Sequence, residues 1–336
     1  MCKQALIVYN PAIRSASDRD LLLARITREL CEECGYFVTL FAMDPQKQVR
    51  DLVPLLNEPV DLVVALGGDG TTRFALAALA ESGSNIPLGI VPLGTANVLA
   101  RNLGILDHGF FASSPENALS VLKSGRTISI DLGSMNGAYF AVTAAVGPMS
   151  DAFTEPNPLE KNAIKLFAYA RTMIKTIIKP PRLFKITLDG ISVKILASGV
   201  FVSNVEDLGL CKPPDISELT DGLLSLNILT PHQFKDYVDI GFRFAVGHTD
   251  ANPPNYVRKV KEVLVEMEPI DLADSKLPLA KGITSRPLSE SRAATAVLQT
   301  EIPAMIDGEE FGTTPIHVKV IPQAVRVLVP ENSLAV

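Results

Sequence analysis

The sequence has little of what a disulfide scaffold, a zinc protein or a membrane-spanning protein requires. Its 336 residues include four cysteines, four histidines and no tryptophan. Cys31 and Cys34 form a C-x-x-C, but no second ligand pair accompanies it, so we interpret them as ordinary helix residues. The apolar runs, such as 61–66 and 195–202, are far shorter than the roughly 20 residues that span a bilayer. No basic segment followed by an apolar stretch opens the chain, so a secretion signal is not expected.

The charge balance is acidic, with a net charge of −6 at pH 7. This balance argues against a protein whose whole surface binds nucleic acid. The hydrophobic content of 47% is sufficient for two cores, and the length favours two domains. We therefore expect a cytoplasmic protein whose contact with a membrane, if it has one, is peripheral.

Up to residue 128, short apolar runs alternate with helical stretches. The runs are rich in Val, Ile and Leu and end in turn residues, which is typical of buried parallel strands. We predict an α/β domain over residues 1–128, rejoined by 324–336, with an open, doubly wound parallel sheet. The predicted strands are Ala5–Tyr9, Phe37–Ala42, Asp61–Leu66 and Leu88–Val91, and the predicted helices are Asp18–Cys34, Gln46–Leu56, Thr72–Glu81, Ala96–Leu103 and Pro115–Lys123.

Residues 129–323 are dominated by strand patterns, several of which alternate strictly between apolar and polar residues. Alternation places one face of a strand in a core and the other in water, so this part is predicted to be a β-rich, antiparallel, sandwich-like domain. Two helices, near Leu159–Lys179 and Gln233–Val246, and a polar loop, Asp271–Ala294, are predicted within it. The predicted strands, the last of which lies beyond residue 323, are Tyr139–Val146, Arg182–Leu188, Ser192–Val202, Leu223–Leu229, Val260–Met267, Ile302–Ile306, Ile316–Ile321 and Val325–Val329.

The densest chemical signal is the segment Gly67-Gly68-Asp69-Gly70-Thr71, between a predicted strand and a predicted helix. Glycines let the backbone approach an anion closely, and the N–H groups that open a helix favour phosphate. A tight turn would also use glycines, but it would not call for Asp69. We expect this carboxylate to handle a metal ion or to orient another group.

The segment Gly94-Thr95-Ala96-Asn97 repeats this arrangement after the next strand. Ligands of open α/β sheets bind beyond the carboxyl ends of the strands, so the two turns are expected to form one nucleotide crevice. Neither turn is a Walker P-loop or a dinucleotide fingerprint.

Two Asp-Gly pairs lie far downstream, at Asp221-Gly222 and Asp307-Gly308. Asp-Gly is an ordinary hairpin signal, and the residues alone leave that interpretation open.

Together these motifs resemble those of the diacylglycerol kinase catalytic family, which includes bacterial lipid kinases and sphingosine kinases. The resemblance runs from Asn10-Pro11 to Val325–Pro330 and rests on the two glycine turns, Asp221-Gly222-Leu223-Leu224 and Asp307-Gly308-Glu309. It implies a nucleotide-binding domain beside a β-rich lipid-substrate domain, with the active site in the cleft between them.

The resemblance further implies an ATP-dependent kinase for a lipid hydroxyl, with diacylglycerol or a related lipid as substrate. Asp307 would be the general base. Asp69 and Asp221 would belong to a carboxylate network that holds Mg²⁺. The residues implied to bind ATP are Asn10, Gly67, Gly68, Asp69, Gly70, Thr71, Gly94, Thr95 and Asn97.

Three departures from the family pattern leave alternatives open. Val98 stands where many relatives carry Asp, Arg73-Phe74 where they often carry Asn-Glu, and residues 205–209 replace a glycine-rich segment. These changes affect metal affinity and substrate choice. The alternatives are a catalytically impaired regulator that binds nucleotide or lipid, and an enzyme similar to NAD kinases, which share the first turn.

The predicted helix Leu159–Lys179 places its cations on one arc and its apolar residues opposite. Such a helix suits an anionic membrane surface, although a solvated face packed on the β domain explains the pattern equally well. The cations are Lys161, Lys165, Arg171, Lys175 and Lys179. The sequence does not indicate the oligomeric state.

Overall fold

The structure, a computed structural model, describes most of the chain. The described residues are 3–12, 16–44, 46–94, 96–106, 115–147, 181–205, 216–231, 235–236, 239, 255–269 and 301–331. Thr95, the predicted helix Leu159–Lys179 with its five cations, and the predicted loop Asp271–Ala294 lie outside these residues.

The chain divides into two compact units. Unit one comprises Met1–Val142, Asp207–Leu223 and Val320–Val336, and unit two comprises Thr143–Glu206 and Leu224–Lys319. The predicted domain boundaries at 128/129 and 323/324 differ from this division. A strand over Arg126–Met135, which we call β5, runs across the first predicted boundary and pairs with strands of unit one.

Unit one contains a parallel sheet in the strand order β2-β1-β3-β4-β16. Strands β1, β3 and β4 are largely apolar, and β3 is buried over its whole length, as expected for a strand covered on both faces. Beside it, β5 pairs with β16 and with β6. The strands are β1 (Lys3–Tyr9), β2 (Tyr36–Ala42), β3 (Leu62–Gly67), β4 (Leu88–Pro92), β6 (Ala138–Phe140) and the final strand β16 (Ile316–Val329).

Helices connect these parallel strands. The third, α3, is rich in Ala and Leu, which are strong helix formers, and buries eight of its side chains. It ends at Gly83, whose left-handed backbone (φ 63°) lets its N–H reach the carbonyls of Leu79 and Ala80. The helices are α1 (Ala16–Glu32), α2 (Val49–Leu52, continued by a 3₁₀ turn over Val53–Asn57), α3 (Asp69–Ser82), α4 (Val98–Asn102) and α5 (Pro115–Ser124).

Unit two is built from antiparallel strands. One sheet has the order β12-β11-β10-β7-β14-β15, and in the other β13 lies between β8, which pairs with β9, and residues 316–319 of β16. The strands are β7 (Thr143–Val146), β8 (Arg182–Leu188), β9 (Ile191–Ala197), β10 (Gly199–Ser203), β11 (Leu224–Leu229), β12 (Asn255–Val260), β13 (Glu262–Glu268), β14 (Pro303–Ile306) and β15 (Glu309–Thr313). The predicted fold class, an α/β domain with a parallel sheet followed by an antiparallel β-rich domain, is confirmed.

Candidate functional site

The first glycine turn joins β3 to α3. Gly67 is the last residue of β3, Gly68 caps the helix, and Asp69, Gly70 and Thr71 form its first turn. A Cβ atom on Gly67 would lie 2.3 Å from Thr71 Oγ1, so glycine is required for Thr71 to pack there. Thr71 is only 1% exposed, and its predicted contact with phosphate stays a prediction.

The second glycine turn lies directly against the first. Gly67 is paired with Pro92 across β3 and β4, and the N–H of Leu93 donates to the Gly67 carbonyl at 2.7 Å. A Cβ atom on Gly94 would lie 2.7 Å from the Cα of Gly68. The two turns therefore touch through backbone atoms, at the carboxyl ends of neighbouring parallel strands.

Asp69 joins the two turns. Its Oδ2 accepts the N–H of Asn97 and its Oδ1 accepts the N–H of Val98, each at 2.8 Å. These are the N-cap and first residue of α4, so one carboxylate spans from the start of α3 to the start of α4. This geometry matches the expectation that Asp69 orients another group, which here is the second turn.

Burial raises the pKa of the Asp69 carboxyl, and the backbone N–H groups that it accepts partly offset this effect. The carboxylate also lies in the first turn of α3, where the helix dipole favours negative charge. The ionised form of Asp69 is thus held by local donors against the cost of removing it from water.

Asn97 closes the second turn on itself. Its Oδ1 accepts the N–H of Gly94 at 2.9 Å, and its Nδ2 donates to the Gly94 carbonyl at 2.7 Å. Its backbone is left-handed (φ 48°), a conformation that asparagine tolerates better than most residues. Asn97 and Gly94 therefore shape the loop, and their predicted contact with a nucleotide stays a prediction.

Asn10 follows β1, whose last residue, Tyr9, pairs with Leu66 of β3. This pairing places Asn10 at the same sheet edge as the first glycine turn. Its Oδ1 accepts the N–H of Ala12 at 2.8 Å, which stabilises a turn after the strand. The structure thus brings together Asn10 and both glycine turns of unit one.

The Asp221-Gly222 turn also belongs to unit one. Asp221 is exposed, and its Oδ1 accepts the N–H of Leu223 at 2.8 Å. The adjacent N–H of Gly222 donates to Oδ2 of Asp131, a buried residue of β5 that the sequence motifs did not reveal. In the sequence, the signal for Asp131 was a carboxylate flanked by the apolar residues Ile130 and Leu132.

Asp307 belongs to unit two and opens the turn between β14 and β15. Both Asp307 (φ 49°) and Gly308 (φ 85°) are left-handed, as a type I′ hairpin requires. The N–H of Asp307 donates to the Thr143 carbonyl at 2.8 Å, and Oδ1 of Asp307 accepts the Thr143 N–H at 2.9 Å. The carboxylate therefore takes the place of a backbone carbonyl as the acceptor of the Thr143 N–H, and this bond fixes the orientation of the carboxylate. Thr143 was not identified from the sequence.

A resident metal ion does not fit the described carboxylates as a site made by the protein alone. Within the described ranges, no three His, Cys, Asp or Glu side chains are grouped so that they could hold a metal ion. Both oxygens of Asp69 accept backbone N–H groups, and Val98 supplies no carboxylate. The roles of Asp69 and Asp221 as magnesium ligands stay predictions.

The five cations predicted to face a membrane lie outside the described residues. Among the helices that the structure describes, none is long and apolar enough to span a bilayer.

Comparison with known sequences identifies relatives of the part that carries both glycine turns. Residues 4–135 match the family model of the diacylglycerol kinase catalytic domain. The diacylglycerol kinases of Staphylococcus aureus strains JH9 and Newman are 30% identical to the chain over 172 residues. These alignments cover 50% of this chain and 51% of each relative, so the match spans about half the length of either protein.

Comparison with solved structures extends the similarity of fold over nearly the whole chain. A crystal structure of a diacylglycerol kinase from Bacillus anthracis strain Sterne gives a TM-score of 0.66 at 17% identity, covering 99% of both chains. A second crystal structure from the same strain gives a TM-score of 0.69 at 18% identity, covering 99% of this chain and 97% of that one. At these identities the likeness shows a shared fold. Over residues 4–135, the chain is similar to the diacylglycerol kinase catalytic domain.

Proposed function

We propose that the protein is a lipid kinase that transfers the γ-phosphate of ATP to a lipid hydroxyl. The observation that carries the proposal is the pair of touching glycine turns, joined by Asp69, on a segment that matches a lipid-kinase catalytic domain. Such turns offer backbone N–H donors at the start of a helix, where phosphate is favoured.

In this proposal unit one binds the nucleotide. The N–H groups of Gly70 and Thr71, in the first turn of α3, have no carbonyl partner within the helix and are suited to phosphate oxygens. Asn10, Gly68 and Thr95 would complete the contacts with ATP. A magnesium ion carried with ATP would supply charge neutralisation at the phosphates.

Unit two supplies the base in this proposal. Asp307 accepts the proton of the lipid hydroxyl, the hydroxyl oxygen forms a bond to the γ-phosphorus, and the bond from that phosphorus to the β–γ bridging oxygen breaks. ADP and the phosphorylated lipid leave, and Asp307 returns the proton to water. The bond from the Thr143 N–H holds the carboxylate in one orientation, which is the pre-organisation that general-base catalysis needs.

A cytoplasmic protein with peripheral membrane contact is part of the same proposal, because the substrate is a lipid. The basic arc of Lys161, Lys165, Arg171, Lys175 and Lys179 would meet anionic headgroups. Vesicle sedimentation tests this point with a variant in which the five cations are changed to Glu. Unchanged binding of that variant to anionic vesicles would rule out this surface.

The proposal is tested by incubating purified protein with Mg²⁺, radiolabelled ATP and a panel of lipids in mixed micelles. The panel contains diacylglycerol, phosphatidylglycerol, a sphingoid base and a polyprenol, and NAD is included as a soluble acceptor. We expect label in one lipid product whose mass has increased by one phosphoryl group. Label in NAD alone would indicate an NAD kinase, and ATP binding without transfer would indicate the impaired regulator that Val98 makes conceivable.

A further inference from the structure

The described part of unit one contains a buried carboxylate that the proposed mechanism does not use. Asp131 lies on β5 and is 1% exposed, between the buried Ile130 and Leu132. Aspartate is rarely buried to this degree unless donors compensate for the lost hydration. The donors around Asp131 therefore indicate what it does.

The two oxygens of Asp131 bind two segments that are distant in sequence. Oδ2 accepts the N–H of Gly222 at 2.7 Å, and Oδ1 accepts the N–H of Gln323, also at 2.7 Å. Hydrogen bonds to an ionised carboxylate are shorter and stronger than those between neutral groups. One side chain thus ties β5 to a turn 91 residues away and to a point in β16 that is 192 residues away.

Both residues that donate to Asp131 have a left-handed backbone. Gly222 has φ 70° and Gln323 has φ 50°, which for glutamine is an uncommon, strained choice. Regular strands satisfy their N–H groups along the ladder, whereas a left-handed residue turns its N–H away from it. Asp131 provides the acceptor at both points, so the two irregular conformations depend on the same side chain.

The turn held in this way is the one that carries Asp221. Its Oδ1 accepts the N–H of Leu223, so the side chain and the Gly222 N–H belong to one compact turn. We propose that Asp131 is a positioning residue, which fixes the Asp221-Gly222 turn and the Gln323 backbone so that Asp221 is held in its working position. The two hydrogen bonds that Asp131 accepts from Gly222 and Gln323, called the tie below, stand on geometry. Only their effect on catalysis rests on the proposed lipid-kinase function.

The tie is tested by amide hydrogen exchange, without any activity assay. In the wild type the N–H groups of Gly222 and Gln323 should be protected. In Asp131→Asn at least one of them should exchange at least about tenfold faster, because the amide keeps one acceptor oxygen and its NH₂ group faces the other N–H. Asp61→Asn is the matched control, since Asp61 is exposed and its carboxylate accepts the N–H of Gln4 at 2.7 Å. This control should leave Gly222 and Gln323 unchanged.

Two results would overturn the tie: free exchange of both amides in the wild type, or unchanged exchange in Asp131→Asn. The first needs no variant, so it decides the question even if Asp131→Asn fails to fold.

The positioning role is tested by a double-mutant cycle on turnover with ATP and the lipid substrate. We expect Asp131→Asn and Asp221→Asn each to lower kcat by about 10–100-fold with little change in the KM for ATP, by analogy with the supporting shells of other sites. The double variant should be no slower than the slower single variant, because Asp131 acts through Asp221. Fully multiplicative losses would show that Asp131 does not act through Asp221. Absence of turnover in the wild type would refute the proposed function, and the exchange experiment would still decide the tie.

Discussion

Replacing Asp69 with asparagine would turn one carboxylate oxygen from an acceptor into a donor while keeping the size of the side chain. In the wild type, both oxygens accept backbone N–H groups at 2.8 Å, from Asn97 and Val98. The amide can accept only one of them, and its NH₂ group then faces the other. The substitution should therefore release the start of α4, and with it the second glycine turn, from the first turn.

The size of the effect follows from the contacts. A hydrogen bond to a charged group contributes about 1.5–3 kcal/mol, and a buried donor without an acceptor costs about 1–3 kcal/mol. Burial opposes the charge of Asp69, as its raised pKa shows, so removing that charge recovers part of the loss. We expect a net destabilisation of about 1–3 kcal/mol, or a fall in the Tm of unit one by roughly 2–12 °C for a unit of this size.

Thermal unfolding followed by circular dichroism would measure this fall, and amide exchange would locate it. At least one of the N–H groups of Asn97 and Val98 should lose protection in Asp69→Asn, while the central residues of β3 should remain protected. Asp61→Asn again serves as the control, because the hydrogen bond from the Gln4 N–H to its side chain is exposed and water can replace it. A Tm within 1 °C of the wild type (about 0.3–0.5 kcal/mol on the same scale), with both amides still protected, would refute the role of Asp69 as the tie between the turns.

Three further outcomes are expected. Gly94→Ala should weaken ATP binding by at least about tenfold in a calorimetric titration, because its Cβ would lie 2.7 Å from the Cα of Gly68. Gly190→Ala introduces backbone strain (φ 79°) in the turn between β8 and β9 but no contact within 4 Å, and it should leave ATP binding unchanged. The Lys123 ammonium lowers the pKa of Glu29, so the stability that the wild type has over Glu29→Gln should be present at pH 7 and disappear in urea melts as the pH falls below about 4. The raised pKa of Asp69 predicts the opposite sign: its contribution to the stability of the wild type relative to Asp69→Asn should be fully present below the unfolded pKa of about 4, and should be lost as the pH rises through the folded-state pKa.

The parallel sheet could be predicted closely because its strands are unbroken apolar runs that end in turn residues. The prediction Phe37–Ala42 agrees with β2 to within one residue. The predicted start of α3, at Thr72, lies after the observed start at Asp69. The prediction placed Gly70 in the turn because glycine is a poor helix former. Here the helix begins at the second residue of the Gly-Asp-Gly segment.

The strand β16 shows where local pattern fails. Pro322-Gln323 reads as a break between two strands, and two were predicted, over Ile316–Ile321 and Val325–Val329. The structure keeps one strand over Ile316–Val329, with a left-handed residue at Gln323. The acceptor for its N–H is Asp131, almost 200 residues earlier, and no local rule connects the two.

The candidate site likewise has features that the sequence reveals and features that only the structure reveals. The glycine turns could be found because their chemistry is concentrated in a few consecutive residues after a strand. The partners of the carboxylates could not, because Asp69 binds residues 28 and 29 positions away and Asp307 binds Thr143, 164 positions away. The motifs identified the candidate carboxylates, but the tertiary fold determines which backbone N–H groups bind them.

The most direct test of the lipid-kinase proposal is the rate at which label moves from γ-labelled ATP into extractable lipid, measured for the wild type and Asp307→Asn. Asparagine at this position keeps an acceptor for the Thr143 N–H and tolerates the left-handed turn, so the variant should fold and bind ATP as the wild type does. We predict transfer by the wild type and a loss of at least about 100-fold in kcat in the variant, since only the carboxylate can take the hydroxyl proton. Equal rates would contradict the assignment of Asp307 as the base, and absence of labelled lipid with a wild type that binds ATP would contradict the lipid-kinase function itself.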